Sequence, residues 1–177
     1  MTKTQKNLTL GYIERRNDSE YREHRRLNLN DEVKLDIARR FKPSVRDDVV
    51  ADYLAAIQDA AQRGLPLSER GLLAVAAALI IKHFTSLRTN ATGYAELATL
   101  LAKLQDSGYL EPILAAFDPE ELEQMNRQIQ RANELLTEEL EKAVAYRRDE
   151  GGTRTAQTAG AEDDATDVQN AKRKVRR

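Results

Sequence analysis

Cysteine and tryptophan are absent from this chain of 177 residues, and phenylalanine (three), proline (four), glycine (eight) and histidine (two) are sparse. Without cysteine there are no disulfides and no thiolate metal sites. With only His24 and His83, an imidazole metal site would need both to converge with carboxylates. We expect His24 to be solvated and His83 to sit at the edge of a core. The scarcity of aromatics beside abundant Leu, Ala, Glu, Arg and Gln favours helices packed through aliphatic side chains over an aromatic-rich sheet. Long apolar runs are missing too. The longest, Leu72–Ile81, would span only about half of a bilayer's hydrocarbon core as a helix, so no membrane span is expected. The first residues offer no apolar stretch of secretory type. A cytoplasmic location is the expectation.

Catalytic signatures are also lacking. There is no glycine-rich phosphate loop, no G-x-S-x-G and no H-E-x-x-H. Paired acids such as Asp47-Asp48 and Glu138-Glu139 fall where helix starts and wet faces place acids anyway. We expect no catalytic residue, no metal and no cofactor.

What is present is uneven charge. The net charge is −1. Residues 1–30 carry seven Lys/Arg against four Asp/Glu, residues 31–150 fifteen against twenty-one, and residues 151–177 six against four. An acidic body between basic ends suggests partners for the ends. Three regions follow: a basic N-terminal arm (1–30), a helical bundle (31–148) and a tail (149–177). The tail is rich in Gly, Thr, Ala and acids, so disorder is predicted for it.

Caps and periodicity outline the bundle. Asn30 can cap a helix over Asp31–Phe41, with Val33, Ile37 and Phe41 as its stripe. Pro43 would stop it, and Ser44 would cap a second helix that buries Val45, Val49, Val50, Tyr53, Leu54 and Ile57 and ends at Gly64. Ser68 caps a third, apolar helix to about Leu87. A fourth spans about Gly93–Gln105 and closes at Gly108, and Tyr109–Phe117 is a short helical connector. Asp118-Pro119-Glu120-Glu121 combines an N-cap, a proline at the first helical position and a reciprocal Glu121. The helix it opens should run to about Arg148. Its seam includes Leu122, Met125, Ile129, Leu136 and Leu140, which serves either the chain's own bundle or self-association between copies. The expected fold is thus all-α or nearly so, a multi-helix bundle with a long C-terminal helix.

Arg26-Leu27-Asn28-Leu29-Asn30 alternates. As a strand it would send Leu27 and Leu29 to one face and Arg26, Asn28 and Asn30 to the other. Arginine reading guanine and asparagine reading adenine is major-groove chemistry, and a two-stranded ribbon fits that groove. Followed by two helices, the second starting Pro-Ser-Val-Arg-Asp-Asp-Val-Val, the stretch 25–57 resembles the ribbon-helix-helix family of DNA-binding proteins. The resemblance implies a strand paired with its copy in a second subunit. It departs from the family in a short first helix, in Lys42-Pro43 at the turn, and in Asp47 and Asp48, which would repel phosphate. Ile37–Phe41 also resembles the first helix of a helix-turn-helix. The bland alternative is an irregular lead-in to a bundle.

DNA binding would then rest on Arg26, Asn28 and Asn30 for bases. Arg15, Arg16, Arg22, Arg25 and the tail cations Lys172, Arg173, Lys174, Arg176 and Arg177 would hold phosphates. The leading expectation is a self-associating, non-enzymatic DNA-binding accessory factor of a phage or mobile element. The alternative is a helical adaptor that binds other proteins and no DNA.

Overall fold

The computed structural model describes residues 7–158. In chain order the elements are α1 (Leu10–Tyr21), β1 (His24–Asn28), β2 (Lys34–Ala38), α2 (Pro43–Gln62), α3 (Glu69–Phe84), α4 (Tyr94–Asp106), α5 (Leu110–Ala116) and α6 (Pro119–Thr158). They divide into two units, Met1–Ala132 and Asn133–Arg177. The expected fold, all-α or nearly so with a long C-terminal helix, is the one observed, and a small two-stranded antiparallel sheet accompanies the helices.

The first unit is organised around α3. Ser68 caps it as expected, its hydroxyl accepting from the Gly71 N–H at 3.1 Å. Seven of its side chains are buried, from Val75 to Phe84. Gly71 exists because Tyr94 crosses there: a Cβ at 71 would lie 1.8 Å from the Tyr94 hydroxyl. Gly64 (φ 65) and Gly108 (φ 73) take the left-handed positions that close α2 and α4. Gly93, the N-cap of α4, has no side chain to offer, and Asp59 of α2 accepts from the Tyr94 N–H in its place at 3.4 Å.

The chain's three phenylalanines meet in one cluster. Phe41 stacks on Phe84 (centroids 3.6 Å apart, planes 2° apart) and meets the edge of Phe117 at 5.6 Å. All three are at most 4% exposed, so truncating Phe41 should cost about 3–5 kcal/mol. Phe41 thereby joins the end of the hairpin to α3 and to the α5–α6 junction.

Four boundaries differ from the sequence reading. Asp31–Phe41 is not a helix: Lys34–Ala38 is β2, paired antiparallel with β1 from His24↔Ala38 to Asn28↔Lys34. Val33, Ile37 and Phe41 satisfy a helical spacing, but Leu35 and Ile37 also alternate with Lys34, Asp36 and Ala38, and the burial follows that period of two. Pro43 opens α2 rather than stopping a helix, with Lys42 as an extended N-cap (ψ 130), so Ser44 is not the cap. The stretch read only as a basic arm contains a full helix, α1. Finally, α6 continues to Thr158, across 149–158 where disorder was predicted. Elongating an existing helix requires no new nucleus, which offsets the weak propensities there. The rest of the predicted disordered tail, 159–177, lies outside the described residues.

The start of α6 holds a further correction. Asp118 does cap it, accepting from the Glu120 N–H at 2.9 Å. Glu121, however, does not turn back to close a capping box. Its carboxylate accepts from the Phe41 N–H at 3.1 Å and from the Arg46 guanidinium, and both charged side chains are about 15% exposed. Arg46 also donates to Gln124 at 2.6 Å. A residue read as local is a cross-link between α6 and the start of α2.

The second unit holds the remainder of α6. Its described ion pair is Lys142–Glu139 at 3.0 Å, one turn apart on the helix.

Candidate functional site

The hairpin and the helix before it gather most of the residues singled out in the sequence. Leu35 and Ile37 are buried, so their face of the sheet looks into the core, and Leu27 lies opposite Leu35. The other face carries His24, Arg26 and Asn28 on β1 and Lys34, Asp36 and Ala38 on β2. The alternation thus sends Arg26 and Asn28 outward, as expected. Their partner strand belongs to the same chain, though, not to a second subunit. β2 is also fastened on its outer side: the Ser86 N–H donates to the Asp36 carbonyl (2.8 Å) and the Asp36 N–H to the Ser86 hydroxyl (2.9 Å).

Within this frame the three base-reading candidates part company. Arg26 donates through Nε to Asp36 at 3.0 Å. That guanidinium holds the Asp36 carboxyl below the usual carboxylate range, with Lys34 and His24 adding to the effect. Asn30 lies in the turn, where its Oδ1 accepts from the N–H groups of Glu32 (2.9 Å) and Val33 (2.7 Å). Its amide nitrogen donates to the Tyr109 hydroxyl at 2.9 Å. Asn30 is therefore the residue that builds and anchors the hairpin. Only Asn28 keeps an exposed side chain with no bond to another residue among the described ones.

Two clefts flank the hairpin. The larger, about 970 Å³, lies between the end of α1, the open end of the hairpin and the α5–α6 junction, with Arg25, Arg39, Arg40 and Phe117 in its wall. Arg39 pairs with Glu23 and Arg40 with Glu20, each at 2.9 Å, so these cations are locally balanced. The smaller, about 470 Å³, is lined by His24, Arg26, Asp36 and residues 83–86. His24 Nδ1 bonds the Arg22 carbonyl at 2.9 Å; a carbonyl only accepts, so the proton is on Nδ1 and Nε2 is left open. His83 contacts Asp52 at 2.9 Å. No group of His, Asp and Glu among the described residues is arranged to hold a metal ion.

α1 is unlike the other helices of this unit. Thr9 caps it, yet it buries no residue, and Leu8, Leu10, Tyr12 and Ile13 are all exposed (39–73%). The Glu20–Arg40 pair ties it to the rest. Arg15 and Arg16 are exposed upon it, Arg22 just after it and Arg25 on β1. The tail cations Lys172, Arg173, Lys174, Arg176 and Arg177 lie outside the described residues.

Of the self-association candidates, Met125 (0% exposed) and Ile129 (6%) are buried in the first unit's own core, and Leu122 is half-buried. Leu136 is half-buried, and the Leu140 side chain falls outside the described part of the structure. Sequence reasoning missed the cross-strand Asp36, the Ser86 clasp and the cleft cations Arg39 and Arg40. The period of two in residues 34–38 signals the strand that carries Asp36, but neither its pairing with Arg26 nor the Ser86 clasp.

No helix among the described residues is long and apolar enough to cross a membrane. The architecture is that of a small helical bundle carrying an N-terminal helix and hairpin. The chain belongs to the YomO family, a phage-associated family whose model matches residues 10–170. The ribbon-helix-helix family does not match. Neither the curated proteins nor the solved structures compared with the chain contain a match.

Proposed function

We propose that this protein is a non-enzymatic adaptor of a phage, which binds another phage protein through α1 and the hairpin. The observation that carries this reading is α1 itself, a helix that buries none of its residues and exposes Leu10, Tyr12 and Ile13, with Leu8 exposed just before it. A helix this short is marginal alone in water and gains most of its stability from a packed face. Clustered exposed apolar groups on a folded protein mark interaction sites. The phage-associated family and the expected cytoplasmic location fit such a role during particle assembly. Any self-association through α6 falls to the stretch beyond Ala132, where Leu135 is exposed, since Met125 and Ile129 are occupied.

A second reading, DNA association, is favoured by the exposed Arg15, Arg16, Arg22 and Arg25. With Arg26 paired and Asn30 in the turn, it reduces to phosphate contacts without base readout. The two are separated by placing a photo-crosslinking residue at Tyr12 in phage-producing cells and by duplex retardation at two salt concentrations. The adaptor reading expects one phage-encoded protein cross-linked at Tyr12, lost in the L10S/I13S variant. Retardation of duplex DNA at about 0.15 M salt, with no protein cross-link, would replace it with the DNA reading.

A further inference from the structure

Strand β1 has an open edge. Odd-numbered residues bond inward: the Leu29 N–H donates to Val33 at 2.9 Å and the Arg39 N–H to Glu23 at 3.1 Å, which fixes the phase of the ladder. His24, Arg26 and Asn28 therefore turn their backbone N–H and C=O groups outward, and none of these meets a partner among the described residues. The opposite edge, on β2, is closed by Ser86. Beside the first residues of β1 lies the larger cleft, whose 970 Å³ is at the upper end of the roughly 300–1,000 Å³ typical of ligand sites.

The charges around this edge choose among occupants. Arg22 and Arg25 are exposed and make no ion pair among the described residues. The nearby acids are already engaged: Glu20 and Glu23 with arginines, Asp36 with Arg26 and Asp118 in capping α6. A second copy of β1 paired about Arg25 or Arg26 would set that arginine against itself, and like charges directly opposite are unfavourable. A nucleic acid would meet the cations but leave the alternating donors and acceptors of the edge unused.

We propose that the edge of β1 accepts one extended, acidic segment of a partner protein, which adds to the hairpin as a strand. This rests on the adaptor reading and specifies the partner's chemistry. Main-chain bonds to residues 24, 26 and 28 supply the attachment, and carboxylates beside Arg22 and Arg25 supply the preference.

The test uses the isotopically labelled full chain and an acetylated heptapeptide of alternating glutamate and valine, followed by amide chemical shifts and hydrogen exchange. The acidic peptide should shift and protect the amides of His24, Arg26 and Asn28. A lysine–valine peptide should bind at least about tenfold more weakly. Asn28→Pro removes an outward N–H from an edge strand, where proline is tolerated. It should weaken binding by about tenfold or more with the cross-strand contacts of the hairpin intact. Arg25→Glu should do the same through charge.

Peptide shifts confined to other elements, or an N28P variant that keeps its cross-strand contacts and full affinity, would overturn strand addition. So would protection of the same amides by short duplex DNA, or by dimerisation without peptide. The Tyr12 cross-link tests the adaptor reading separately, since it reports on α1 and not on this edge.

Discussion

Replacing Glu121 by alanine discriminates between two roles for one carboxylate. As part of a capping box, Glu121 would contribute about 0.5–2 kcal/mol, and only to the first turn of α6. As the acceptor for Phe41 and Arg46, its loss has larger consequences. Arg46 would be left as a cation that is 14% exposed, and its Nε is already buried without a protein partner. Removing one member of a buried pair costs about 3–5 kcal/mol. The orphaned Phe41 N–H contributes a further cost of about 1–3 kcal/mol. Partial exposure pulls the total down, so about 3–4 kcal/mol is expected for E121A. With a urea slope of about 1–3 kcal/mol per molar, the midpoint should fall by 1 M or more. E121Q keeps an oxygen for both donors and should cost about half as much. R46M leaves the Glu121 carboxylate without its cation at 15% exposure and should cost a comparable amount, about 3–4 kcal/mol. Urea unfolding followed by circular dichroism measures all three. A loss for E121A below about 1 kcal/mol, or an R46M/E121A double variant equal to the sum of the singles, would refute the cross-link and restore the simple cap.

Three other outcomes are expected. Asn30→Ala removes the two turn bonds and the link to Tyr109, and should cost about 1–3 kcal/mol with faster hydrogen exchange across β1 and β2, measured by NMR. Arg26→Ala should raise the Asp36 titration toward the ordinary carboxylate range, read from its side-chain carbon shift. Because the folded value is lowered, the stabilisation it represents is complete above about pH 4 and fades only as acid takes the pH through the folded value. An Asp36 titration unmoved by R26A would mean that Arg26 is not its cause. Gly71→Ala must displace Tyr94 and should cost about 1–3 kcal/mol in the same urea assay, rather than gain the few tenths that alanine brings to an open helix.

The parts of the fold that were legible in the sequence are those written within one turn of chain. Ser68, Gly64, Gly108 and Asp118 act on residues no more than four away, and each was placed correctly. The hairpin was obscured because Asp31–Phe41 satisfies two periods at once. The choice between them is made by partners far along the chain: Tyr109 holds Asn30, Ser86 clasps Asp36, and Phe84 and Phe117 receive Phe41. Glu121 was misread for the same reason, since its donors lie 75 and 80 residues away. Arg26 and Asn28 were correctly placed on an outward face, because alternation survives whichever strand is the partner. Their availability depended on Asp36, which no local pattern announces.

The clasp that Ser86 places on β2 also sets a valence. A sheet propagates through copies of one protein only if each copy offers two edges, one to receive and one to extend. Among the described residues, the sheet of this chain offers one. Pairing through its hairpin must therefore terminate, either with a single guest strand or with a closed pair of copies. A protein that works at high local concentration, as a component of an assembling particle would, can keep an open strand edge without becoming the seed of a fibre.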